Sequence, residues 1–250
     1  MRTTDDDPPT RRRWLTGAGA GLLAVAARGT GAQPPRPADP APATLFTFGD
    51  SILDCGRYND RGVDPGRLLV RNDDALFPEF RGRDLAARRG APVRLVHRAV
   101  DGATSADLER QRPDRADGAA ADPAVAIVTI GGNDLLRGLA AERDDRGVRR
   151  FAETLERFAA ALPVRTIVFG TVYDPTFGDD RKNFLGVPPA IARAALGRVN
   201  DAIRAVARRH GRVADLHAHF LRGDPSWFTN TIEPSLRGAS EVRRVFLDTI

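Results

Sequence analysis

At 250 residues, 42% hydrophobic and 28% charged, the chain has the size and balance of one globular domain with a sizeable core, which excludes disordered and fibrous classes. Its formal charge of +5 creates no nucleic-acid face, because the arginines that carry it are interleaved with acids and alanines rather than clustered. A single cysteine, Cys55, excludes an internal disulfide, so stability must come from the core.

In chain order, Thr10-Arg11-Arg12-Arg13-Trp14-Leu15 opens an apolar, Gly/Ala-rich stretch that runs to about Ala27, and Thr30-Gly31-Ala32 offers small residues for cleavage before Gln33. Residues 1–32 therefore resemble a twin-arginine export signal, and the expected location is periplasmic or extracellular. The apolar stretch falls short of the roughly 20 residues a membrane span needs, so no stable span is expected in the mature protein. The leader holds five arginines and three aspartates, so its removal lowers the formal charge from +5 to +3. Pro34, Pro35, Pro37, Pro40 and Pro42 make residues 33–43 an extended linker, and the folded domain is expected over 44–250.

Beyond the linker, short β-branched runs predict strands over Thr44–Phe48, Val93–Arg98, Val125–Ile130, Arg165–Gly170 and Arg212–Leu216. Helical spacing predicts helices near Leu76–Arg89, Ser105–Arg110, Val148–Leu162, Pro189–Arg209 and Ala239–Leu247. The alternation argues for five parallel strands joined by crossover helices: an α/β, three-layer α/β/α sandwich on a flavodoxin-like sheet, without a second domain. In such sheets ligands bind beyond the carboxyl ends of the strands. Gly49–Asp54, Asp101–Thr104, Gly131–Asp134, Thr171–Asp174 and the loop after Asp215 are the polar turns expected at those ends.

Two of these turns carry the chemistry. Phe46-Thr47-Phe48-Gly49-Asp50-Ser51 delivers a hydroxyl from the end of a strand, and Ile130-Gly131-Gly132-Asn133-Asp134 delivers a carboxamide from the end of another. A hydroxyl nucleophile and an amide donor for the developing oxyanion are what acyl transfer requires. Together the segments resemble the first and third blocks of the GDSL/SGNH serine hydrolase family, and Gly102, in Val100-Asp101-Gly102-Ala103, matches its second. The resemblance implies an ester hydrolase with Ser51 as nucleophile and the Ser51 N–H, Gly102 N–H and Asn133 side chain as oxyanion donors, with no cofactor or metal. Gly102 is otherwise a plain strand-to-helix turn, and Asn133 a helix cap.

The fourth block departs from the family, which places Asp and His three residues apart before the last helix. Trp227-Phe228-Thr229-Asn230-Thr231-Ile232-Glu233-Pro234 puts Asn230 and Glu233 there instead. Three groups then compete as general base: Glu233 itself, or His217 or His219 from Asp215-Leu216-His217-Ala218-His219, folded back toward Ser51 with Glu233 as its orienting acid. In an extended segment Asp215, His217 and His219 would share one face, a metal-like pattern that has no further His or Cys to complete it. His97 and His210 read as structural. Arg237, Arg243 and Arg244 read as a solvated face of the closing helix.

The loops Gly56–Ala75 and Tyr173–Val187, rich in Asp, Gly, Asn and Arg, suit a polar or carbohydrate-bearing ester. The expected activity is hydrolysis of a small acyl ester such as a glycan O-acetyl group. The alternative is a protein of the same fold that binds a glycan or acyl ligand without efficient turnover.

Overall fold

The computed structural model describes residues 41–114, 123–142 and 144–250. The expected leader and most of the Pro-rich linker lie outside the described residues. The domain takes hold at Ala43, whose N–H donates to Pro123 O at 2.8 Å.

Five parallel strands form the sheet: β1 (Thr44–Gly49), β2 (Arg94–His97), β3 (Ala124–Thr129), β4 (Thr166–Gly170) and β5 (Gly211–Ala214), in the order β2-β1-β3-β4-β5. β1 and β3 are buried along their whole length, as strands covered on both faces must be. Their side chains alternate between two cores. Phe46, Phe48, Ala126 and Val128 face one layer with α4 (Arg146–Ala161) and α5 (Pro189–His210). Leu45, Val125 and Ile127 face the other, with α1 (Pro65–Val70) and α7 (Leu236–Thr249). The expected three-layer sandwich is the observed one.

Local departures from expectation have local causes. The loop Gly56–Ala75 contains α1, because Asp64 caps it by accepting from Arg67 N–H at 2.9 Å and Pro65 occupies its first turn. The helix expected over Leu76–Arg89 is instead a 3₁₀ turn at Pro78–Phe80 and α2 (Leu85–Arg89), divided where Gly82 adopts φ +72°. The last strand stops at Ala214, and Asp215 caps α6 (Leu216–Phe220) through Ala218 N–H. α7 starts three residues early because Ser235 caps it.

Arg243 does not sit on a solvated face. It is fully buried, donates to Asn72 Oδ1 at 2.8 Å and to Ser240, and lies 3.4 Å from the centre of the Phe80 ring. Burial pulls its pKa down to about 10, and no carboxylate touches it among the described residues.

Candidate active site

The site lies at the carboxyl edge of the sheet, where β1 and β3 end side by side. Gly49 closes β1 with φ +119°, and a Cβ there would stand 1.6 Å from Thr129 O, so only glycine permits the approach of the two strand ends. The buried Gln111 side chain clamps this residue from both sides, accepting from Gly49 N–H at 2.6 Å and donating to Gly49 O at 2.9 Å. Asn200 holds the end of β4 in the same way through Val172, at 2.8 and 2.9 Å. Neither amide is distinguishable in the sequence from any other helical Gln or Asn.

The turn that follows places Asp50 and Ser51. Ser51 is only 8% exposed, and among the described residues its N–H is used by no hydrogen bond. The Asp50 carboxyl is buried; Oδ1 accepts from Thr129 Oγ1 at 2.8 Å and Ile52 N–H at 3.2 Å. Burial, reinforced by the negative charges of Asp134 and Glu233, outweighs those hydrogen bonds and pushes its pKa up to about 7. The sequence marks Asp50 only as part of the polar turn Gly49–Asp54, since a carboxyl's burial leaves no trace in a Gly-Asp-Ser tripeptide.

Two further turns meet this one. Gly102 holds φ +78°, and its N–H makes no hydrogen bond among the described residues. Its position is fixed on both flanks. Asp54 Oδ2 accepts from Asp101 N–H at 2.9 Å, Tyr58 Oη donates to Asp101 Oδ2 at 2.6 Å, and Arg137 donates to Gly102 O at 2.8 Å. Asn133 sits in the first turn of α3 (Gly132–Leu136), whose cap is Gly131, so its side chain is not the helix cap. Asn133 Nδ2 donates to Ala103 O at 3.0 Å, which uses one amide hydrogen and leaves the other. Its neighbour Asp134 accepts from Ser105 N–H at 2.9 Å and Ser105 Oγ at 2.5 Å. The second and third blocks are thus bolted to each other, and their free donors are held before any substrate arrives.

Glu233 reaches the site from a short antiparallel hairpin, β6 (Phe228–Thr229) and β7 (Glu233–Pro234). Its loop is strained: Asn230 has φ +45° and Thr231 φ +72°, and a β-branched residue in that region costs on the order of 1–3 kcal/mol. Tyr173 Oη holds the loop by donating to Ile232 O at 2.7 Å. The Ser51 hydroxyl is the neighbouring side chain that favours the charged form of Glu233, although no hydrogen bond joins the two among the described residues. Oε2 of the same carboxyl is buried without a partner. Burial first, and the charge of Asp101 after it, raise the Glu233 pKa, with the neighbouring Ser51 hydroxyl opposing. No hydrogen bond joins Asn230 to Glu233 among the described residues.

The two histidines are placed differently. The segment is helical, so Asp215, His217 and His219 do not share a face. His219 Nε2 bonds Glu241 at 2.8 Å and stacks on Trp227 at 5.2 Å. Burial opposes ionisation of Glu241, but hydrogen bonds from His219 and Arg244 outweigh it and hold the acid at about 2. Asp215 is engaged by Thr171, Ala218 N–H and Arg204. His217 Nδ1 is buried without a partner. Neither ring is hydrogen-bonded to Ser51 among the described residues. His97 bonds Thr47 and Asp54, and His210 bonds Glu156.

A GDSL-like lipase/acylhydrolase family model matches residues 47–239. No curated protein matches. The structure is similar to LAE5, an alpha/beta hydrolase enzyme from the metagenome of Lake Arreo, at 25% identity, covering 84% of this chain and 96% of that one with a TM-score of 0.57. It is also similar to Axe2, an acetylxylan esterase from Geobacillus stearothermophilus, at 19% identity, 83% and 93% coverage and a TM-score of 0.57. Catalytic mutants of that esterase replace a serine and a histidine, whereas the fourth block here carries Glu233 at the position where the family places its histidine. With its family model spanning the strand ends that carry Ser51, Gly102 and Asn133, the chain belongs to the GDSL-like lipase/acylhydrolase family of ester hydrolases.

Proposed function

We propose that this protein is an exported esterase that cleaves a small acyl ester through an acyl-Ser51 intermediate, with Glu233 as general base. The observation that carries the proposal is a partly buried Glu233 carboxyl, its pKa raised by burial and its Oε2 without a partner, whose charged form is favoured by the neighbouring Ser51 hydroxyl. A carboxylate that gives up hydrogen bonds to water is a stronger base than an exposed one.

In the first step Glu233 takes the hydroxyl proton as Ser51 Oγ attacks the ester carbonyl. The oxyanion is met by the Ser51 N–H, the Gly102 N–H and the spare Asn133 amide hydrogen. Collapse breaks the ester C–O bond, and Glu233 returns the proton to the departing alcohol. Water then attacks the acyl-serine, passing a proton to Glu233 and from it back to Ser51, and the acid is released. The O-acetyl group of a glycan is a small acyl donor that fits this scheme, in keeping with the acetylxylan esterase among the similar structures. Export is supported by the twin-arginine pattern of residues 1–32.

The same glutamate favours a second reading, a binding protein that keeps the oxyanion donors but turns over poorly, because a carboxylate is intrinsically a weaker base than imidazole. Hydrolysis of p-nitrophenyl acetate by the wild type and Ser51→Ala separates the two. The esterase reading expects turnover that Ser51→Ala abolishes. Full activity in Ser51→Ala would refute it, and product-free binding unaffected by the substitution would establish the second reading.

A further inference from the structure

Beside the site lies a cavity of about 100 Å³ walled by Leu135, Val172, Leu185, Ala192, Leu196 and Ile232. Three of its residues border catalytic groups. Gly132 precedes Asn133 and fits between the Asp50 carboxyl and Val172, since a Cβ there would lie 3.8 Å from each. Ile232 precedes Glu233, and Tyr173, whose ionisation burial and the Glu233 charge suppress, ties Ile232 in place. The cavity therefore adjoins the candidate site through Gly132 and Ile232, the chain neighbours of Asn133 and Glu233.

Its rim looks polar in the sequence but is self-satisfied. Asp174 accepts from Thr176 N–H and Oγ1, Asp179 pairs with Arg181, and Asp180 pairs with Arg193. The acids of the loop Tyr173–Val187 that border the cavity are thus engaged by the loop itself and by Arg193 of α5, and Leu185 packs against the core. Leu136 and Phe184, two of the five large apolar side chains left exposed among the described residues, border the same cavity. Apolar walls reached through an apolar rim, with every acid at the rim engaged, select a hydrocarbon rather than a sugar.

We infer that this cavity is the acyl subsite, and that it takes an unbranched acyl chain of about four to six carbons rather than acetate alone. The inference rests on the esterase reading of Ser51. At roughly 30 Å³ for a group the size of a water molecule or a methylene, 100 Å³ receives about three carbons beyond the carbonyl and α-carbon. Each methylene buried there improves kcat/KM about fourfold, so butyryl exceeds acetyl about fifteenfold.

The test compares kcat/KM for p-nitrophenyl acetate, butyrate, hexanoate and decanoate in the wild type, Ala192→Phe and Leu185→Ala, with calorimetric titration of sodium acetate and sodium hexanoate alongside. The wild type is expected to peak at butyrate or hexanoate and to bind hexanoate more tightly than acetate. Ala192→Phe, which fills the cavity from α5, is expected to bring the butyrate-to-acetate ratio down to about one. Leu185→Ala, which opens it from the loop, moves the optimum to a longer chain. A profile that peaks at acetate, or a ratio indifferent to both substitutions, overturns the acyl subsite while leaving the esterase intact. Absence of Ser51-dependent turnover, with hexanoate still preferred and that preference lost in Ala192→Phe, overturns the esterase and keeps the subsite. Equal binding of hexanoate and acetate overturns the subsite in either case.

Discussion

Replacing Glu233 by glutamine preserves side-chain volume and the hairpin while removing the carboxyl assigned as the base for Ser51. A positioned general base contributes ~10²–10⁴ in rate, about 3–5 kcal/mol of barrier. Glu233→Gln should therefore lower kcat for p-nitrophenyl butyrate by that factor, with little change in KM, since the oxyanion donors stay in place.

The same substitution has an opposite effect on stability. The folded-state pKa of Glu233 lies above its ordinary value, chiefly because burial penalises the charge. Such an acid contributes nothing unfavourable below the unfolded pKa and destabilises the fold as pH rises through the folded one. Glu233→Gln should then melt higher than the wild type at pH 8, and the gap should close toward pH 4. Steady-state kinetics and thermal melts across pH read both effects. Retention of full activity, or a fall in melting temperature at pH 8, would refute the assignment of Glu233 as a partly desolvated base.

Three further outcomes follow from neighbouring groups. Asp50, raised to about 7 from 3.8, loses stability as pH climbs between those values; Asp50→Asn should recover on the order of 4 kcal/mol at pH 9 relative to pH 3, read by urea melts, and should erase an inflection near pH 7 in the rate profile. Asn133→Ala should lower kcat ~10²–10³ with KM nearly unchanged in steady-state assays, through loss of one oxyanion donor. His219→Ala should spare kcat and instead lower the melting temperature, because Glu241 then loses the partner that helps hold it at about 2; that stability is present above the unfolded pKa of 4.5 and fades as pH falls toward 2. A collapse of kcat in a folded His219→Ala protein would restore the histidine as base.

The sheet was legible because parallel strands buried on both faces leave nearly continuous apolar runs, and Leu45–Phe48, broken only by the buried Thr47, and Val125–Val128 are such runs. Ser51, Gly102 and Asn133 were legible as turn residues at strand ends, since topology alone brings those ends to one edge. The fourth block was not, because Glu233 is positioned by a hairpin of four paired residues held by a strained loop and by Tyr173, 59 positions from the Ile232 carbonyl it binds. The alternation of Asp215, His217 and His219 misled for a definite reason: a side-chain cap at Asp215 turns the segment into a helix immediately after β5. Asp64-Pro65 carried a readable helix start that a loop-like composition obscured. Gln111, Asn200 and buried Arg243 show the opposite limit, since partnership with a distant backbone or ring cannot be inferred from a residue's own neighbours.

The most direct test is the labelling rate of the purified protein with a fluorophosphonate probe as a function of pH, in the wild type and Glu233→Gln, with the adduct located by peptide mapping. The account predicts modification at Ser51, rising with ionisation of a carboxyl above the ordinary glutamate range, and slowed at least a hundredfold by Glu233→Gln. Labelling at another residue, or a Ser51 rate that Glu233→Gln leaves unchanged, would contradict it.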